Sequence, residues 1–357
     1  MSKEEGASPD VLRKHFQNRK LYVRLGLILL LTFAGVLMVF KRFAGEISLP
    51  LLRAELGRWD LRFVLVACGF VFLYLLMRAC RVALLVRQLG RRVSFPHMVR
   101  IILVNTFLST VTPFTAGGIP AQVYLLSRYG LSVAEASSIA FLEGAYTWFF
   151  FVVFVSPLIL LLPPELKVTV YPWSWLAIGV ALVFSVTVVF ITFRTKVAGE
   201  LFRRLGKGLE EHKRPVLRSL SSALDKFGTF VLQVGEALTQ GQLLRPGCLL
   251  PAFVTTLGMW LAIFMVAPML LRATGANTPW QTCLGLQLIH SCVAPLIPTP
   301  GGSGGTELLL ASLFAPLLSG TNLGAFVATW RLLSYYLPLG LGGLATLVQI
   351  QLLFREG

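Results

Sequence analysis

Pro298-Thr-Pro-Gly-Gly-Ser-Gly-Gly-Thr-Glu307 lies between two apolar runs, Cys283–Ile297 and Leu308–Leu318. Pro298 and Pro300 remove backbone donors, and Gly301, Gly302, Gly304 and Gly305 carry no helix preference, so no unbroken helix passes through. Lipid supplies no partners for freed N–H and C=O groups. Broken backbone at that depth is tolerated only where protein buries it or where it lines a wet cavity. Glu307 adds an ionisable group that costs about 2.5–3.5 kcal/mol on insertion scales. The stretch therefore reads as a discontinuous membrane helix at a functional site.

The composition places this break in an all-α polytopic integral membrane protein. Of 357 residues, 55% are hydrophobic and only 13% charged. Formal charge is +16, but the basic residues cluster between apolar spans, where they orient the chain and meet anionic headgroups. No nucleic-acid partner is expected. Cys68, Cys80, Cys248, Cys283 and Cys292 make no C-x-x-C pair, and four histidines are scattered, so neither a disulfide framework nor a metal site is expected. No phosphate-loop lysine motif and no H-E-x-x-H occurs, and no cofactor is expected.

Residues 1–20 form a polar, basic tail ahead of a first apolar span at 21–40. Further full spans are expected at 61–86, 132–162, 173–193, 248–271 and 321–353, roughly six in all. Two shorter pieces, Met98–Val111 and Ala121–Tyr129, flank Thr112-Pro-Phe-Thr-Ala-Gly-Gly-Ile-Pro120. Residues 194–246 are basic with apolar residues at helical spacing, as in amphipathic surface helices. The positive-inside rule puts 1–20, 87–100 and 194–246 in the cytoplasm and the charge-poor loops 163–172 and 272–280 outside. Parity then makes 98–131 and 281–320 re-entrant hairpins dipping in from opposite faces, with both termini cytoplasmic in a cell membrane.

The chain thus divides into a first membrane repeat, 21–163, and a second, 164–357, of inverted orientation. Thr112-Pro113 with Gly117, Gly118 and Gln122 in one half echoes Thr299-Pro300 with Gly301, Gly302 and Glu307 in the other. Inverted repeats broken at equivalent places point to an alternating-access transporter whose hairpins act as gates.

Glu143, with Tyr146 on its helical face, lies about three turns into one long span. Arg331, with Tyr335 on its face, lies equally deep in the other. Charges at such depth face a bundle interior and pair, so a Glu143–Arg331 pair lining a shared cavity is expected, alongside a purely structural ion pair. Glu307 offers a site for a cation or amino headgroup, or simply caps its own helix. Arg128 at the mouth of the first hairpin, and Arg78 and Arg81 on the second span, attract lipid phosphate or snorkel to the headgroups. Gly301-Gly-Ser303-Gly-Gly305 matches G-x-S-x-G, with His290 upstream, but no strand precedes it as a nucleophile elbow requires. No enzymatic activity is expected.

Thr299-Pro-Gly-Gly-Ser-Gly-Gly-Thr-Glu307, followed by Gly320, Arg331, Tyr335-Tyr336 and Pro338, resembles the second signature of the lysylphosphatidylglycerol synthase transmembrane (flippase-like) family. Thr112-Pro-Phe-Thr-Ala-Gly-Gly-Ile-Pro-Ala-Gln122, then Gly130, Ser132 and Glu143, resembles the first. The resemblance covers about 20–353 and implies a helical fold that moves lipids between leaflets. It implies as partners an anionic or aminoacylated phospholipid, or a polyprenyl-linked lipid, with a homo-oligomer left open. A chain ending at Gly357 is expected to lack the aminoacyl-transfer domain of fused members. Gln122 departs from the first signature, in which a Glu commonly follows the glycines, and places a neutral side chain there. The residues alone leave two alternatives open: an ion- or proton-coupled solute carrier, and a membrane-bound lipid-modifying enzyme.

Overall fold

A computed structural model describes residues 57–112, 115–160, 162, 164–210, 215–240, 243–297, 299–302, 304–318 and 320–355. The basic tail and the expected first span, 21–40, lie outside these, as do Pro113, Pro298 and Ser303. Among the described residues the chain is helical, without strands. Four helical stretches are long and apolar enough to cross a membrane: Leu61–Gln88, Val133–Phe154, Pro246–Ala273 and Asn322–Leu353.

Helix α1 spans Leu61–Gln88, and its first turn is capped by Asp60, whose carboxylate accepts the Arg62 amide at 3.0 Å. Helices α2 (Phe95–Val111) and α3 (Gly118–Arg128) form the first broken pair. At about 1.5 Å per residue neither reaches the roughly 30 Å of a hydrocarbon core. Thr112 closes α2 by bonding the Leu108 carbonyl and accepting the Gly117 amide at 2.8 Å. Helix α3 then folds back along α2, so closely that a Cβ at Gly118 would sit 2.8 Å from the Asn105 carbonyl and run into the Ser109 hydroxyl. The break is narrower than the sequence indicates: Gly118 and Pro120 belong to the first turn of α3, where a proline's missing donor costs nothing.

Helix α4 (Val133–Leu160) opens on a reciprocal cap, the Ser132 hydroxyl accepting the Glu135 amide and the Glu135 carboxylate accepting the Ser132 amide. The expected loop at 163–172 is instead helical from Pro164 on. Helix α5 runs Pro164–Phe193, with Pro164 at a first-turn position and Pro172 inside. The basic region folds into two helices packed on each other, α6 (Thr195–Glu210) and α7 (Pro215–Gln240). Val197, Leu201 and Leu205 form an exposed apolar stripe along α6, one helical turn apart.

Helices α8 (Pro246–Phe264) and α9 (Val266–Ala273) make one span with a turn at Met265. Pro268 lacks the donor that would bond the Phe264 carbonyl, which accounts for that turn. This span runs antiparallel to α1: the Asp60 amide donates to the Ala273 carbonyl at 3.0 Å, while Arg81 further along α1 reaches Thr256. Helix α10 (Trp280–Val293) is buried almost throughout. It leads through the 3-10 turns 294–296 and 300–302 to α11 (Gly305–Phe314), the second short pair. The 300–302 turn packs against α2 of the first pair.

The last span is two helices, α12 (Gly320–Arg331) and α13 (Leu337–Arg355), joined by a π turn at Leu332–Tyr336. Pro338 explains the widened turn, since it cannot donate to the Ser334 carbonyl, and the Leu337 amide bonds Leu332 instead.

Two apolar cores hold these elements. One gathers Val82, Val86, Met98, Leu126, Ile139 and Val234, joining α1, α2, α3, α4 and α7. The other gathers Val71, Phe150, Ala177, Leu270, Leu288, Leu310 and Phe326, joining α1, α4, α5, α9, α10, α11 and α12.

Candidate functional site

Each short-helix pair delivers one side chain to a buried ion pair, and the two pairs are separate. In the first, the Arg81 guanidinium on α1 donates to Glu143 on α4 at 2.8 Å, with the side chains 4% and 10% exposed. Gln122, on the first turns of α3, donates its amide to the other oxygen of Glu143. Asn105 on α2 donates to Gln122 at 2.8 Å, and Arg78 donates to Asn105 at 3.0 Å. Since Arg78 and Arg81 sit one turn apart on α1, these five residues close a ring across four helices. Arg78 also bonds the Thr106 hydroxyl at 2.8 Å, and Arg81 bonds Thr256 at 3.2 Å. Tyr146 lies buried one turn beyond Glu143, its hydroxyl without a hydrogen-bond partner among the described residues.

In the second, Arg331 Nε donates to Glu307 at 2.6 Å, and both side chains are 6% exposed. The other Glu307 oxygen accepts the Gly304 amide at 2.7 Å and the Thr306 hydroxyl at 3.0 Å, so the carboxylate both caps α11 and holds the arginine. Arg331 also reaches back to the Gly301 carbonyl at 3.3 Å, fastening the start of the break to the last span. The Arg331 guanidinium lies 4.0 Å from the centroid of the Tyr335 ring. Gly301, Gly302 and Gly304 all take the left-handed backbone, with φ of 59, 66 and 86 degrees. The His290 and Trp330 rings meet edge to face at 5.0 Å beside this pair.

The expected Glu143–Arg331 pair is therefore replaced by Arg81–Glu143 and Glu307–Arg331. Arg81 is no snorkelling residue but 3% exposed and turned inward. Sequence reading missed Asn105 as part of the first ring and Thr256 as a contact of Arg81. One signal was available for Arg81: Arg78, Arg81 and the buried Leu85 share a stripe of α1 at three- and four-residue spacing. Gln122, Glu143, Glu307, Arg331 and Tyr335 fall in the two networks, and Tyr146 lies beside the first. Arg128 ends α3 on the exposed surface.

Both pairs combine desolvated charge with an interrupted helix, and each carboxylate has more than one donor. Such an arrangement can take up a polar partner at one oxygen while the other oxygen stays hydrogen-bonded.

A family model described as the lysylphosphatidylglycerol synthase TM region matches residues 22–342. The chain is also similar to a protein named UPF0104 membrane protein from Archaeoglobus fulgidus, 26% identical over 328 residues, covering 89% of this chain and 94% of that one.

Proposed function

This chain belongs to the lysylphosphatidylglycerol synthase transmembrane-region family, a membrane family linked to lipid handling, and from that premise we propose that it moves a phospholipid or lipid-linked headgroup between leaflets. The headgroup passes the two polar networks while the acyl tails stay in the bilayer. The two halves act as inverted repeats, with α2–α3 and α10–α11 as re-entrant hairpins that gate the path from opposite faces. The protein works as a transporter, without chemistry on its cargo, in the cell membrane. The observation that carries the reading is the pair of buried ionic networks, each seated at a break in the helical backbone inside apolar spans.

Leaflet exchange of a fluorescent phosphatidylglycerol in proteoliposomes tests it. Arg331→Gln leaves Glu307 without its cation and frees Gly301, so exchange falls about tenfold or more at matched protein incorporation. A wild-type rate in Arg331→Gln and in Glu307→Gln removes the second network from the transport path.

A further inference from the structure

The first network carries an uncompensated positive charge. Two guanidiniums, Arg78 and Arg81, face one carboxylate, Glu143, and the remaining members, Asn105, Gln122, Thr106 and Thr256, are neutral. The second network balances, with Glu307 against Arg331. The difference lies at the position following each glycine break, where the first half has Gln122 and the second Glu307.

Donors are also in surplus. A guanidinium has five N–H groups, and Arg78 spends only two of its nitrogens, on Thr106 and Asn105. It pairs with no carboxylate among the described residues and lies half-buried beside Tyr74, whose ring centroid is 5.8 Å away. Arg81 is 3% exposed, yet its Nε–H has no partner among the described residues, and neither has the buried Tyr146 hydroxyl. Arg78 cannot discharge this by reaching the headgroups at the end of α1. Arg87 in the last turn is nine residues further on, about 14 Å along the axis. A lone cation at that depth is costly, and a tetrahedral oxyanion accepting several N–H and O–H donors removes the cost.

We infer that Arg78, Arg81 and Tyr146 form a binding site for a phosphate-type anion, Arg78 supplying the unmatched charge and Arg81 Nε and the Tyr146 hydroxyl the inner donors. The inference rests on the translocation reading for the source of the phosphate, a lipid headgroup, but the same chemistry takes free phosphate.

Binding to the purified full chain in detergent separates these. Dioctanoyl phosphatidylglycerol is titrated against dioctanoylglycerol, which lacks the phosphate, and against inorganic phosphate as competitor. The phosphatidylglycerol binds about tenfold or more tighter than the neutral lipid, and Arg78→Gln removes that preference. Tyr146→Phe weakens phosphatidylglycerol binding about threefold. Should Arg78→Gln not fold, Tyr146→Phe carries the test, because its lost hydroxyl breaks no bond to a described residue. Competition by inorganic phosphate, abolished in Arg78→Gln, supports a site for the free ion as well. No competition supports the lipid headgroup as sole source.

Equal affinity of wild type and Arg78→Gln for phosphatidylglycerol overturns the site, as does an unchanged affinity in Tyr146→Phe where that variant stands in. Exchange in proteoliposomes reports separately. Arg78-dependent binding without wild-type exchange keeps the site and discards translocation, whereas exchange with no Arg78-dependent binding does the reverse.

Discussion

Glu143 is held from two sides, by the Arg81 guanidinium and the Gln122 amide, with at most a tenth of its side chain exposed. Removing one partner of a buried ion pair strands the other and costs about 3–5 kcal/mol, whereas replacing both with apolar residues of similar size is often near neutral. Glu143→Leu is therefore expected to lower the melting temperature in detergent sharply, and Arg81→Met combined with Glu143→Leu to restore most of the loss. A double variant as unstable as the sum of its singles would show that the two charges are not energetically coupled. Depth and helical face pointed to Glu143 and Arg331 as buried charges from the sequence alone. Their partners were not legible, because periodicity gives the face a residue occupies but not which helix it meets. Arg81 was obscured further by the run of surface arginines at the end of its helix.

At the scale of elements, the glycines of the second break differ in what they tolerate. Gly301 and Gly304 both have positive φ, a backbone that costs a side-chain-bearing residue about 1–3 kcal/mol. A Cβ at Gly304 meets nothing within 4 Å, while one at Gly301 runs into the Tyr335 ring that stacks on Arg331. Gly304→Ala is thus expected to lose only the backbone term in a thermal melt, and Gly301→Ala distinctly more. Equal losses would mean that Tyr335 does not press on the break. That the helix stops here was plain from two prolines and four glycines. The π turn beneath Tyr335 was not, since Pro338 in an apolar run reads as an ordinary kink until the Leu337–Leu332 bond shows which turn has widened. The helical start of α5 at Pro164 was hidden similarly, because Pro-Pro followed by charged residues has the composition of a loop.

Across the whole molecule, charge and packing separate two ends. The core around Val82, Met98 and Leu126 unites the C-terminal part of α1, the start of α2, the end of α3, the start of α4 and α7, and Arg87, Arg91, Arg92, Arg100 and Arg128 all lie on these elements or their connections. The Ser138 hydroxyl bonds the Val234 carbonyl at 3.2 Å, so the basic α6–α7 hairpin belongs to the same end. Trp59, Leu162 and Ala273 mark the opposite end, in the other core. The expected topology rested on this asymmetry of arginine and lysine, which survives in sequence because it needs no knowledge of contacts. It predicts that the arginine-rich end is cytoplasmic. Single cysteines at Arg92 and Lys207 should then react with a membrane-impermeant maleimide in inside-out vesicles, and one at Ala276, in the turn after α9, in right-side-out vesicles. The five native cysteines are buried or half-buried and lie on helices, which keeps the background low. Arg92→Cys and Ala276→Cys labelling from the same face would require α1 to enter and leave on one side. The antiparallel pairing of α1 with α8–α9 could then not represent two crossings, and the gates we propose would lose the opposite faces that alternating access requires.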